Sequence, residues 1–466
     1  MKRRSILIVI SSEIFVRNYI NTDALSEVEK YFNCSYLVSD KIKSLDAFHA
    51  KTSLGRYSTN EIMDRKHYRV FNILMRKYRA KSSSFYFRYM RTRRFDFSFP
   101  KGSSILKITI KFSWKIIHWA VRPILDSICN NNIVFPFYFY LYKNTLTINA
   151  NLEKEIRKLA PDFILFPSSS YDPDGIDLVI IGKKIGAPVL FLVDNWDNLS
   201  SKSILWERPT HVGVWGAQSV EHAVNIQGFK KEQVTCLGTP RFDQYFKVRD
   251  ISIKSNFNFK YILFVGTALE FDEVGVLQKL NEIISRHPDI FINVKVIYRP
   301  HPWRQGEDSV IGKVLENVII DPQMIGAYSV RDSLNFQPDL SYYPSLLKNA
   351  EFVIGGLTSM IIEALIFRKR FLALAYDDGK NFTSQHNALK YYTHLQGLKE
   401  VEAISFCENI DTLEANFIDT WLSRNDIDAG RVDFERRYFY FDDGRTYPQR
   451  LRELCSDITE KSLYSD

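Results

Sequence analysis

Cysteine is scarce and scattered: Cys34, Cys129, Cys236, Cys407 and Cys455 stand singly, and odd in number, in 466 residues. No disulfide framework or metal-ligand spacing follows, and a reduced cytosolic setting is expected. Long apolar runs are also missing. A membrane-spanning helix needs roughly 18 or more such residues together, and none occurs, so no span is expected. The opening Met1-Lys2-Arg3-Arg4 resembles a signal peptide's basic start, but the apolar Ile6-Leu7-Ile8-Val9-Ile10 soon meets Ser11-Ser12-Glu13 without a small-residue cleavage site. A buried first strand is the expectation instead. The net charge of +8 is modest for the length and singles out no nucleic acid, and no RNA-binding module is recognisable.

What is present suits a folded protein, 45% hydrophobic and 25% charged. The length exceeds one core and suits two domains of roughly 200 residues. We divide it at 1–250, 251–425 and a helical tail 426–466. Strand Ile6–Ile10, a helix from Phe15 to Phe32 and strand Ser35–Val38 open a doubly wound pattern. Arg17, at the start of that helix, is placed to contact a ligand at the first strand's tip, or else is a solvated helix-start arginine. A strand at 161–167, a helix at 176–185 and a strand at 188–193 follow. The last delivers Asp194-Asn195-Trp196-Asp197-Asn198 into a loop, where Asp194, Asn195 and Asp197 read equally as a sugar or acceptor surface and as turn-building residues. Strand Val212–Gly216 and helix Ser219–Gln227 complete the half, and the polar stretch 250–260 is the linker.

Residues 50–150 are the least regular. Cations alternate with rings at 76–81 and 88–95, and Ile105–Leu125 is amphipathic with Lys107, Lys111 and Lys115. This suits an anionic membrane surface or lipid-linked acceptor, and equally a helical insertion with an ordinary core.

The second half repeats the architecture. Strand Tyr261–Val265 ends in a loop carrying Glu270, Asp272 and Glu273, a helix spans 274–286, and Phe371–Ala375 is a late strand. Between them, Lys295–Leu365 holds the sharpest signal. A strand ends in Arg299-Pro300-His301-Pro302, and a second, Phe352–Ile354, runs through Gly355-Gly356-Leu357-Thr358-Ser359 into a helix with Glu363. Ligands sit at the carboxyl ends of parallel strands. A cation and an imidazole at one tip, with hydroxyls and helix N–H groups at the other, suit a phosphate.

These residues resemble a family. Trp215-Gly216, Leu237-Gly238-Thr239-Pro240-Arg241-Phe242-Asp243, His301-Pro302 and Thr358-Ser359…Glu363-Ala364 look like motifs of GT-B glycosyltransferases. Among these, the order Val265-Gly266-Thr267…Asp272, Arg299-Pro300-His301-Pro302, Thr358-Ser359…Glu363-Ala364 is similar to the retaining β-Kdo transferases of bacterial capsule and O-antigen synthesis. The Asp194–Asn198 loop and Asp442-Asp443-Gly444-Arg445 also look like features of related surface-polysaccharide transferases. The resemblance covers about 160–450 and implies two Rossmann-like α/β domains facing a cleft, with a C-terminal helix returning to the first.

It further implies a CMP-linked acidic sugar as donor, a lipid-linked glycan as acceptor, and no nucleic-acid partner. Arg299, His301, Pro302, Thr358 and Ser359 would face the donor's phosphate or carboxylate, and Glu363 its ribose or base. Asp272 would be the nucleophile of a double displacement, with Glu270 and Glu273 beside it. No divalent-metal motif of the Asp-x-Asp kind sits at a strand end with a GT-A surround, so metal-independent chemistry without a cofactor is expected. The rival is an inverting transferase using a general base on the first domain, Asp194 or Asp197, with an NDP-sugar, a sialic-type donor or CDP-glycerol. A third reading is a non-catalytic protein that docks on membranes or polyanions.

Overall fold

Strands apolar on both faces need cover above and below, which parallel pairing with crossover helices supplies. Ile6–Ile10, Phe163–Phe166 and Val189–Val193 are such runs, and all are buried. In the computed structural model they form the middle of a seven-stranded sheet, ordered β3-β2-β1-β4-β5-β6-β7. Its strands are β1 Ser5–Ile10, β2 Asn33–Ser39, β3 Leu54–Tyr57, β4 Phe163–Ser168, β5 Val189–Val193, β6 His211–Val214 and β7 Val234–Cys236. A second sheet has six strands, ordered β10-β9-β8-β11-β12-β13. They are β8 Lys260–Val265, β9 Val294–Arg299, β10 Val318–Ile320, β11 Val353–Gly355, β12 Phe371–Leu374 and β13 Ile404–Cys407. Every pairing in both sheets is parallel. The structure describes residues 3–49, 51, 53–93, 105–168, 172–301, 315–329, 342–426, 437–439 and 444–461. Pro302, Asp442 and Asp443, named above, lie outside them.

The two halves share a core. Trp196, Trp215, Phe242 and Tyr245 of the first pack with Tyr343, Leu346, Ile361 and Phe367 of the second. The Trp215 and Phe242 rings meet edge-on at 4.9 Å, a favourable aromatic geometry. The C-terminal helix Tyr447–Lys461 returns to the first half and buries Tyr447, Leu451 and Ile458 with Ile6 and Ile8. Arg450 Nε, on the same helix, donates to the Leu237 carbonyl at 3.1 Å.

Residues 50–150 supply β3 and four helices, Glu61–Tyr78, Ser83–Arg93, Ile105–Asn130 and Val134–Lys143. They match the expectation of a helical insertion with an ordinary core. Inner faces build a core of Val70, Phe71, Leu74, Phe85 and Phe135 with Ile204 and Ile226. Asp126 receives Arg76 Nη1 at 2.9 Å and Arg79 Nη1 at 3.2 Å. Phe87 stacks on Tyr391 of the second domain, centroids 5.0 Å apart, so the insertion bridges both halves. The outer faces stay exposed. Trp119 is 61% and Ile133 86% accessible.

Several boundaries differ from expectation. The helix read over Phe15–Phe32 is broken into Glu13–Phe15, a π-helical turn Val16–Ile20, and Ser26–Tyr31. Thr22 Oγ1 donates to the Asn18 carbonyl and accepts from Ala24 N, local bonds that compete with a continuous helix. Similarly, the helix expected over Ser219–Gln227 starts at Ala217 and turns π-helical over His222–Ile226.

Candidate functional site in the interdomain cleft

In the second sheet, β8 and β11 are neighbours at the point where strand order changes direction. Crevices at such a switch point receive ligands in open α/β sheets. The loops here approach so closely that side chains are excluded. A Cβ on Gly266 would lie 2.6 Å from His301 N, and one on Gly356 would lie 2.8 Å from Gln385 Nε2. Gln385 Oε1 accepts from Leu357 N at 2.7 Å and fixes that turn. The tips of β8, β9 and β11 thus converge, bringing Asp272, His301, Thr358 and Ser359 to one end of the sheet.

The acids of the β8 loop divide sharply. Glu273 is buried, and its two oxygens accept from Thr267 N (2.8 Å) and Tyr298 Oη (2.6 Å). It holds the loop. Asp272 caps the helix Glu273–Arg286 by accepting from Gly275 N at 3.1 Å. It remains 37% exposed, with Lys380 Nζ at 2.7 Å. Glu270 is exposed.

The cations and hydroxyls divide too. Arg299 is buried under the tips, bonded to Asp321 and to Gln323 Oε1 (2.8 Å), with its guanidinium 4.6 Å from the Tyr343 ring centroid. Its charge is met largely inside the domain. His301, Thr358 and Ser359 are half-buried. Ser359 heads the seven-residue helix Met360–Ile366 and makes no side-chain cap bond.

Glu363 sits at the junction instead of opening to the cleft. It is buried, accepts from Tyr245 Oη at 2.8 Å and lies 3.2 Å from Arg241 Nη2. Both partners belong to the helix Pro240–Arg249, at the end of the first domain. Arg241 also interacts with Asp194, whose Oδ1 accepts from Asn18 Nδ2 at 2.9 Å. Arg17 Nε in turn donates to Asn18 Oδ1 at 2.9 Å. One charged network, Arg17, Asp194, Arg241 and Glu363, therefore crosses between the carboxyl ends of the two sheets. Burial raises the Asp194 carboxyl above its ordinary range, against the pull of Arg241 and Arg17. Removing one member of a buried pair strands the other charge, at about 3–5 kcal/mol. Glu363→Ala is accordingly expected to lower the urea midpoint sharply, and adding Arg241→Met to restore much of the loss. An unchanged midpoint in the single variant would show that the pair does not hold the domains.

The remaining acceptor-side residues are anchored as well. Asn195 Oδ1 accepts from Trp196 N at 3.0 Å. Asp197 is buried beside Lys202, 2.7 Å away; burial pushes its carboxyl up, but Lys202, His394 and Arg88 together outweigh this and hold it below the ordinary range.

Sequence reasoning passed over Asp172. It follows β4 at the first sheet's own switch point, between β1 and β4, and accepts from Ser11 Oγ at 3.1 Å. Burial, then the charge of Asp174, raises its carboxyl to about 7. The available signal was Asp172-Pro173-Asp174-Gly175 just beyond a wholly apolar strand.

No family model matches the chain, and no curated protein matches it. Solved structures do resemble it. A putative UDP-N-acetylglucosamine 2-epimerase from Listeria monocytogenes superposes with a TM-score of 0.51 at 9% identity, over 100% of this chain and 98% of that one. A UDP-GlcNAc 2-epimerase from Neisseria meningitidis gives 0.49 at 10% identity, over 99% and 100%. A glycosyltransferase from Rickettsia africae gives 0.46 at 11%, over 100% of both. At these identities the likeness concerns fold alone. With two all-parallel sheets, their carboxyl ends bridged, and a last helix returning to the first domain, the fold is GT-B.

Proposed function

We propose that this chain is a glycosyltransferase that moves an acidic sugar, Kdo from CMP-Kdo, onto a lipid-linked surface glycan with retention of configuration. The observation that carries this is the convergence of the β8, β9 and β11 tips, which gathers an accessible carboxylate, an imidazole and two hydroxyls at a switch point. His301, Thr358 and Ser359 are the groups to hold the departing cytidylate phosphate, whose developing charge needs fixed polar partners. Asp272 attacks the anomeric carbon, forming a glycosyl ester as CMP leaves. The acceptor hydroxyl then displaces the carboxylate, and the two inversions sum to retention. Glu273 shapes the loop that presents Asp272, and Glu363 keeps the domains in register.

The lipid-linked acceptor is supported by the insertion. Ile110, Ile117, Trp119, Ile124, Phe137 and Leu141 are exposed along two consecutive helices. Residues 76–125 hold thirteen lysines and arginines against one acid, Asp96. No described helix is long and apolar enough to cross a membrane, so contact would be along the bilayer surface.

One observation favours a second reading. Asp172, titrating near neutrality at the first domain's switch point, has the properties of a general base, as an inverting transferase requires. Nucleotide binding tests the donor: CMP should raise the unfolding midpoint and UDP should not.

A further inference from the structure

Away from the β8, β9 and β11 tips, a cavity of about 230 Å³ lies where four parts of the chain meet. Gln218 and His222 come from the helical segment after β6, Thr393 and Gln396 from beyond β12, Lys81 from the insertion and Arg437 from the tail. The volume is below the roughly 300 Å³ at which drug-sized sites begin, and it suits a single sugar ring.

Its walls hold polar atoms that the described residues leave unsatisfied. Gln218 is 2% exposed, and its Nε2 donates to the carbonyls of His394 (3.1 Å) and Gln396 (3.5 Å). Those two acceptors fix the amide's orientation, because a flipped amide would set oxygen against oxygen. The Oε1 is therefore an acceptor, and it has no donor. His222 is 6% exposed, and its Nδ1 also has no partner. Burial, then the positive charge of His394 and Arg437, lowers its pKa to about 3, so the ring is neutral at pH 7. Buried polar groups are ordinarily paired, and two orphans in one small cavity call for a partner from outside the chain.

The charges specify that partner further. Lys81 and Arg437 bring two cations to the cavity, against one acid, Glu221, 4.0 Å from Arg437. A hydroxyl donor answers Gln218 Oε1, a second polar group answers His222 Nδ1, and an anionic oxygen answers the cations. We propose that this cavity is a second binding site, separate from the donor loops, for one anionic, hydroxylated sugar unit: a sugar carboxylate or a sugar phosphate. The site goes beyond the transferase reading and stands whichever reaction the cleft performs.

Calorimetric titration of the full chain, with CMP saturating the donor loops, tests it. The probes are Kdo, N-acetylglucosamine 1-phosphate and uncharged N-acetylglucosamine. At least one anion should bind ten-fold or more tighter than the neutral sugar, and which one binds names the source. Lys81→Gln, an exposed change that spares the core, and Gln218→Met should each weaken that binding at least five-fold. Asp272→Ala should leave it unchanged. Equal binding of charged and neutral sugars, or full affinity in both cavity variants, would overturn the site. Loss of CMP binding alone would instead count against the donor reading.

Discussion

Asp272→Ala is expected to abolish the proposed sugar transfer, by about 10⁴-fold or more in kcat, while CMP affinity should stay within a few-fold of the parent. The size follows from the role: losing a covalent nucleophile removes the pathway itself, not one stabilising contact. The selectivity follows from position. Asp272 is the one acid of its loop that is both anchored and reachable, held by Gly275 N yet 37% exposed. Its partner Lys380 is 67% exposed, and ion pairs between solvated side chains are weak, so the lysine swings aside at little cost. The groups proposed to face the phosphate, His301, Thr358 and Ser359, sit on other strand tips and should stay in place. Glu270→Ala should retain most activity, since that side chain is exposed. Glu273→Ala should destabilise the loop, because Thr267 N and Tyr298 Oη lose their acceptor. Near-normal turnover in Asp272→Ala, together with a dead Asp172→Asn, would replace double displacement with direct attack assisted from the first domain.

The second large effect is on bilayer binding. The protein should sediment with vesicles rich in phosphatidylglycerol and far less with phosphatidylcholine alone, and added salt should release it. Replacing Lys107, Lys111 and Lys115 with glutamine should cost on the order of 100-fold in partitioning, at about 1 kcal/mol for each cation near an anionic surface. Trp119→Ser with Ile124→Ser should weaken binding independently of salt, because both side chains are exposed and would bury apolar area in the interface. Trp119 and Ile124 are exposed, so their replacement spares the inner cluster around Phe71 and Phe85. Equal binding by parent and triple variant would show that the charge of this region serves another purpose.

The double-sheet architecture was legible because the central strands are apolar on both faces, and a run such as Phe163–Phe166 admits few other readings. Short edge strands were not. Leu54–Tyr57 alternates exposed and buried residues and lies at the rim of its sheet, so its sequence carries a weak imprint. Motif order located Asp272, His301 and Thr358 on neighbouring tips, since the strand–loop–helix rhythm fixes which loops share one end of a parallel sheet. What each side chain does there was hidden. Asp272 and Glu273 are adjacent in sequence, yet one caps a helix at the surface and the other is sealed inside. Glu363 reads locally as a helix residue near a ligand loop, but its partners lie over a hundred positions away at Arg241 and Tyr245. The charge of Asp172 depends on desolvation and on Asp174, which follow from packing that no spacing encodes.

The central claim, a CMP-linked donor held at the second domain's switch point, is tested most directly by the unfolding midpoint across CMP, CMP-Kdo, UDP, UDP-GlcNAc and CDP-glycerol. A ligand at 100 times its Kd stabilises the folded state by about 2.7 kcal/mol. For 466 residues, at about 2.1 cal/mol/K of unfolding entropy per residue, that is a rise of about 3 °C. The account predicts that rise with CMP and CMP-Kdo, no shift with the UDP compounds or CDP-glycerol, and its persistence in Asp272→Ala. A rise with UDP or UDP-GlcNAc and none with CMP would contradict it.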